Sequence, residues 1–239
     1  MRDDGAQFAE LLATPGVEEV LELRSRFGFL AFHGGSLERM TDVVARAAAE
    51  GAGASCYAVL QPPDLRWHLP SIRFTPAASP ALARFVEHVD VAVALHGYGR
   101  SGRWTSLLLG GSNRGLAAHL GRRLAAALPD HEVVSDLDTI PAELRGLHAA
   151  NPVNLPPRGG VQLELPPRVR GLTPHWAGWS GPGLPPPTEA LVAALAEAAA
   201  TWPVDGQGAS RSSTQPEAGW GSPSSELACT SVRRSPGIS

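Results

Sequence analysis

The run Gly28-Phe29-Leu30-Ala31-Phe32-His33 ends an apolar stretch on a histidine, and Gly34-Gly35-Ser36-Leu37-Glu38 follows with two glycines and a carboxylate. A second run, Val89-Asp90-Val91-Ala92-Val93-Ala94-Leu95-His96-Gly97, repeats the pattern of buried strand, terminal histidine and glycine. Open α/β sheets hold their ligands at the carboxyl ends of strands. Two histidines and one glutamate are also a set that catalytic zinc uses, with a fourth position left for water. The set His33, Glu38 and His96 is therefore the leading candidate for a metal site. Its His-x-x-x-x-Glu spacing differs from the helical His-Glu-x-x-His arrangement, in which both histidines share one helix face. Here Gly34 and Gly35 must bend the loop so that Glu38 turns back toward His33. Taken singly, each histidine reads equally well as one hydrogen-bonded at a strand end.

Metal-assisted hydrolysis also needs a carboxylate to take a proton from water. Gly159-Gly160-Val161-Gln162-Leu163-Glu164-Leu165 alternates strictly, with Val161, Leu163 and Leu165 on one face and Gln162 and Glu164 on the other. Glu164 is the candidate general base, although alone it reads more simply as a solvent-facing glutamate on a half-exposed strand. Other residues resemble sites less closely. His131-Glu132 and Asp136-Leu137-Asp138 flank a short strand and are read as structural. Trp176 and Trp179 either wall a cleft or bury a loop. Gly110-Gly111-Ser112 precedes a helix, but a phosphate loop needs a lysine and this chain has none. The same absence excludes lysine nucleophiles and Schiff bases.

These residues need a scaffold, and the pattern supplies one. Short apolar runs at 28–32, 55–60, 89–95, 106–109, 131–134 and 161–165 read as strands buried on both faces of a mainly parallel sheet. Helical periodicity falls at Leu37–Glu50, Pro80–His88, Arg114–Leu128 and Thr188–Thr201. The alternation argues for a three-layer α/β domain. At 239 residues and 43% hydrophobic, the chain can bury a sizeable core, and a net charge of −3 gives no reason to expect nucleic acid or an anionic membrane as partner. The two cysteines, Cys56 and Cys229, support neither a disulfide framework nor a thiolate metal site. No secretory stretch opens the chain and no run is long enough to span a membrane, so a cytoplasmic protein, released on lysis if at all, is expected.

Taken together, His33-Gly-Gly-Ser-Leu-Glu38, His96-Gly, Gly110-Gly111-Ser112-Asn113, Asn151-Pro-Val-Asn154 and Gly160-Val-Gln-Leu-Glu-Leu resemble the phage-type poly-γ-glutamate hydrolase family, over roughly residues 24 to 202. That family is similar to zinc carboxypeptidases. The resemblance implies a three-layer αβα sandwich with a mostly parallel mixed sheet, zinc on His33, Glu38 and His96, and Glu164 as base. Where the family's metal motif often carries a third glycine, this chain has Ser36, small enough to cap a helix at Leu37. The implied substrate is a polyanionic γ-glutamyl polymer, acted on by a monomer. Arginine forks match its carboxylates; Arg170 and Arg114 follow motif elements and are the first candidates, ahead of Arg100, Arg103 and Arg158. Asn151 and Asn154 read first as loop-shaping, with Asn154 kept as a substrate contact. The rivals are a carboxypeptidase-like amidase on peptidoglycan stem peptides and a non-catalytic glutamyl-polymer binding protein.

Residues 1–202 form the expected hydrolase domain. From Pro203 to Ser239 the chain turns rich in Ser, Gly and Pro without apolar periodicity, which predicts a disordered tail. Deleting 203–239 is expected to leave the melting temperature and specific activity nearly unchanged; a large loss of stability would move the domain boundary.

Overall fold

The architecture, taken from a computed structural model that describes residues 5–203, is one mixed sheet with helices on both faces. The expected tail, beyond Pro203 itself, lies outside the described residues. The strands are β1 (Glu18–Glu22), β2 (Phe27–Gly35), β3 (Ser55–Gln61), β4 (Val91–Gly97), β5 (Ser106–Leu109), β6 (Glu132–Val134) and β7 (Gly160–Leu165). The helices are α1 (Ala6–Leu12), α2 (Thr41–Ala52), α3 (Pro80–His88), α4 (Arg114–Ala127) and α5 (Pro186–Thr201). The seven strands run in the order β1-β3-β2-β4-β7-β5-β6. Pairs β2/β3, β2/β4, β4/β7 and β5/β6 are parallel, while β1/β3 and β5/β7 are antiparallel.

Strand alternation divides the core in two. Phe27, Phe29 and Ala31 of β2, Val93 and Leu95 of β4 and Leu163 and Leu165 of β7 pack beneath α2, α4 and α5, against Val44, Leu120 and Leu195. On the other face Leu30, Phe32, Tyr57 and Ala94 pack against Phe8 and Leu11 of α1 and Leu82 and Phe85 of α3. Each fully buried Leu or Phe contributes about 1.5–3 kcal/mol, so these two layers dominate the stability. Helix α2 crosses one face on the way from β2 to β3, and α3 crosses the other on the way to β4. The chain therefore reverses its course beside β2, leaving a crevice at the carboxyl ends of β2 and β4 where ligands of such sheets bind.

Three local features depart from the sequence reading. Strand β1 carries too few apolar residues to be seen as a strand; it is an edge strand whose Glu19 accepts a hydrogen bond from buried Tyr57 Oη (2.6 Å) and another from Ser79, the N-cap of α3. Helix α1, with Phe8 and Leu11 buried, is too short to announce itself by periodicity. Helix α2 starts at Thr41 rather than Leu37, because residues 36–40 form turns: Glu38 N donates to His33 O (2.8 Å) and Thr41 Oγ1 to Glu38 O (2.8 Å). Ser36 caps no helix. Its hydroxyl bonds Pro62 O (2.7 Å) and ties the loop to the end of β3.

Candidate metal centre and base

In β2, Ala31 pairs with Ala58 but Gly34 pairs with Leu60, so one extra residue is inserted on β2. Such a bulge breaks alternation and re-aims a side chain. Strict alternation would put His33 on the face of Phe29 and Ala31, away from His96. The bulge instead leaves Phe32 and His33 together on the second face, where the His33 ring lies 5.5 Å from Phe74 and 5.2 Å from His96. His96 needs no such device, since Ala92, Ala94 and His96 already share that face. The chain then leaves β2 through Gly35, whose φ of 68° is a left-handed conformation, and the turns that follow bring Glu38 back over His33.

Glu38 is the hub. Its Oε1 lies 2.8 Å from His33 Nδ1, and its Oε2 lies 3.4 Å from His96 Nδ1 and accepts from Gly97 N–H at 2.8 Å. Potential ligand atoms of His33, Glu38 and His96 all fall within 4.8 Å of one another. His33 Nε2 lies 2.8 Å from Leu69 O; a carbonyl can only accept, so Nε2 carries a proton. In a neutral ring the Nδ1 lone pair then faces the carboxylate oxygen, an arrangement that only a cation or a second proton makes favourable. His96 Nε2 is buried and has no hydrogen-bond partner among the described residues. The donor chemistry fits a divalent ion that accepts nitrogen and oxygen ligands. Burial opposes the charge on Glu38, yet His33 and His96 together hold its pKa well below the usual carboxylate range. Burial likewise opposes the charge on His96, and Glu38 and Glu164 more than compensate, so its pKa is raised.

Glu164 is paired with His96 in parallel register on β7, on the same face, and is 3% exposed. It is not the solvent-facing glutamate that its strand pattern suggests: β7 lies inside the sheet, with Glu164 between His96 of β4 and Leu108 of β5. Burial pushes its carboxyl pKa up, partly offset by His96. Gln162 Nε2 donates to Glu164 Oε1 (2.8 Å), and Asn151 Nδ2 donates to Gln162 Oε1 (2.8 Å), so one carboxylate oxygen is fixed by a chain of amides. These residues, with His68, Arg145 and His148, line a cleft of about 730 Å³. Gln162 lay inside the strand motif without an assigned role, and His68 and Arg145 had no motif to mark them. The ring of His68 lies 4.6 Å from that of His33.

The substrate candidates lie elsewhere. Arg114 donates to Gly110 O, Gly111 O and Leu109 O (3.0, 3.1 and 2.9 Å) and to Ser135 O, so its guanidinium is spent on four carbonyls behind the cleft. Asn154 bonds Gly146 O, His148 O and Ser112 N, and shapes the loop. Arg170 is 6% exposed and donates to Leu165 O (3.1 Å), Arg39 O (2.8 Å) and Tyr98 O (3.4 Å). It stitches the ends of β7 and β4 to the loop bearing Glu38. Gly97 permits this, since a Cβ there would sit 2.6 Å from the Arg170 guanidinium. Arg114 and Arg170 thus hold backbone carbonyls and Asn154 holds a loop, so the structure gives each a bracing role.

Residues 7–173 match the profile of the poly-gamma-glutamate hydrolase family. This chain belongs to that family. Its activity is accordingly the hydrolysis of poly-γ-glutamate, and neither the peptidoglycan amidase nor the non-catalytic binder is favoured. The fold agrees. A bacteriophage poly-gamma-glutamate hydrolase superposes with a TM-score of 0.65 at 21% identity, covering 79% of this chain and 91% of its own. A zinc-free YNDL structure superposes with a TM-score of 0.62 at 20% identity, covering 76% and 88%. No curated protein matches the sequence. Among the described residues no helix is long and apolar enough to cross a membrane.

Arg170 acts on the cluster through the carbonyls it holds and through its charge, which faces Glu38 and Glu164. Arg170→Met keeps the side-chain volume but removes every donor. We expect divalent-ion affinity to fall about 10–100-fold, the usual scale for a partner just outside the ligands, measured by competition with a chelating dye. Unchanged affinity would reduce Arg170 to a packing role.

Proposed function

We propose that this family member is a zinc hydrolase that cuts the γ-glutamyl amide bond, with His33, Glu38 and His96 as ligands and Glu164 as general base. The observation that carries the reading is the convergence of His33 Nδ1, His96 Nδ1 and the Glu38 carboxylate beside a second, buried carboxylate on the next strand. Zinc is preferred because the set is two imidazoles and one carboxylate, and because the YNDL relative is described in a zinc-free form. When bound, the ion supplies Lewis-acid polarisation of a carbonyl and lowers the pKa of water to about 7.

The chain's own residues do the rest. Gln162 holds Glu164 Oε1, leaving Oε2 to take the proton of the attacking water. The raised carboxyl pKa makes Glu164 a stronger base than an exposed glutamate, and its conjugate acid then delivers the proton to the departing α-amine. Arg145 is the cation that the cleft wall offers to the substrate: Ile140 O accepts from its Nε (2.9 Å) and Arg145 O accepts from Gly111 N (2.7 Å), so both backbone and side chain are anchored. An anchored guanidinium loses little freedom on meeting a carboxylate, and the polymer presents one per unit.

Three variants test these roles. The pair His33→Ala and His96→Ala should bring zinc content down to background by elemental analysis; retained zinc would sink the ligand set. Glu164→Gln should keep zinc but lower turnover by about 10²–10⁴, and near wild-type turnover would remove Glu164 from the mechanism. Arg145→Ala should raise KM for the polymer about tenfold with kcat little changed, as for one lost charge-assisted contact. Carboxyl-esterified polymer should lose that dependence on Arg145. If it does not, the contact is not to the carboxylate.

A further inference from the structure

Outside the cleft, a second concavity of about 770 Å³ opens on the α4 and α5 side of the sheet. Its walls include Trp104, Trp176, Pro174, His131 and Arg168. Trp104 is 55% exposed, which is costly for the largest apolar side chain unless something covers it. An exposed aromatic platform beside an exposed guanidinium makes a place for a ligand.

The topology says which end of the molecule this groove occupies. Strand β5 is antiparallel to β7, with Leu108 opposite Glu164, and β6 runs parallel to β5 from Ser106 opposite Glu132. Trp104 and His131, just before β5 and β6, therefore stand at the same end of the sheet as His96 and Glu164. Two short runs join the sites directly: Gly97–Trp104 leaves the metal cluster, and Leu165–Arg168 leaves the base. Gly99, with Trp104 and Pro167 as its nearest neighbours, brings the two runs together.

We propose that this groove is a second subsite for the γ-glutamyl polymer, holding a stretch of chain beyond the bond being cut. The inference rests on the reading of the cleft as the hydrolytic site. The occupant fits chemically. Each polymer unit has two methylenes that pack on indole and proline rings, and one carboxylate that pairs with Arg168. Exposed Asp130 on the rim disfavours an anion locally, and Arg168 beside His131 opposes it. A chain long enough to reach over the end of the sheet engages both sites, so its affinity gains from the linkage.

The test is a comparison of lengths. For the zinc-loaded full chain, kcat/KM is measured on a long polymer and on a short γ-glutamyl oligomer that only fills the cleft. Trp104→Ala and Arg168→Glu should each lower the long-to-short ratio about tenfold, the loss of one strong contact. Both residues are at the surface, so folding is not at stake. An unchanged ratio in both variants overturns the proposal. Binding of long polymer to the Glu164→Gln protein, read by tryptophan fluorescence or calorimetry, separates the two readings. If Arg168→Glu weakens that binding although the parent cleaves nothing, the subsite stands and the catalytic reading fails. If the parent cleaves but polymer binds equally well with and without Arg168→Glu, the subsite fails and the catalytic reading stands.

Discussion

A carboxylate buried among nitrogen lone pairs governs how the rest of this structure is built. Taking Glu38 out of water costs several kcal/mol even after relaxation, and it is repaid only where opposite charge and hydrogen bonds converge on both oxygens. One oxygen meets His33, the other meets His96 and the Gly97 amide. The arrangement rests on three backbone devices: a bulge to turn His33, a left-handed glycine to return the loop, and a bare Cα at Gly97 to admit Arg170. The cluster is thus held from three strands at once. A cation placed among its donors neutralises what the fold has brought together, which couples ion binding to the stability of the whole crevice.

Much of this was legible in the chain. Unbroken apolar runs gave the central strands, because strands covered on both faces need no polar alternation; β3, β5 and β7 match to within a residue. The proline after Ser79 marked α3 to the residue. Family resemblance and spacing singled out His33, Glu38, His96 and Glu164, which the fold does gather at one end of the sheet. Their chemical roles remain the proposal made above.

What escaped the sequence escaped for identifiable reasons. A bulge is a difference between two strands' registers, so nothing in β2 alone could announce that His33 changes face. The arginines were ranked by closeness to motifs, but closeness in sequence selects for residues that brace a motif. Arg114 holds carbonyls of the turn it follows, and Arg170 holds the end of the strand it follows together with two more distant carbonyls. Arg145 follows no motif and reaches the cleft because Gly110 and Gly111 clamp its backbone: a Cβ on Gly110 would lie 2.2 Å from Arg145 O. Edge strand β1 depended on pairing with β3, which a single strand's composition does not encode.

The amides that orient Glu164 have a further consequence. From Asn151 through Gln162 to the carboxylate, every link is a neutral side chain. Primary amides neither gain nor lose protons in the range where proteins stay folded, so the chain is polar but silent to titration. Had a histidine or a second acid filled the place of Gln162, the aim of the Glu164 carboxylate would change with its charge. As built, acidity alters only how often Glu164 holds a proton, while its direction stays the same. Geometry and ionisation are thereby uncoupled at Glu164.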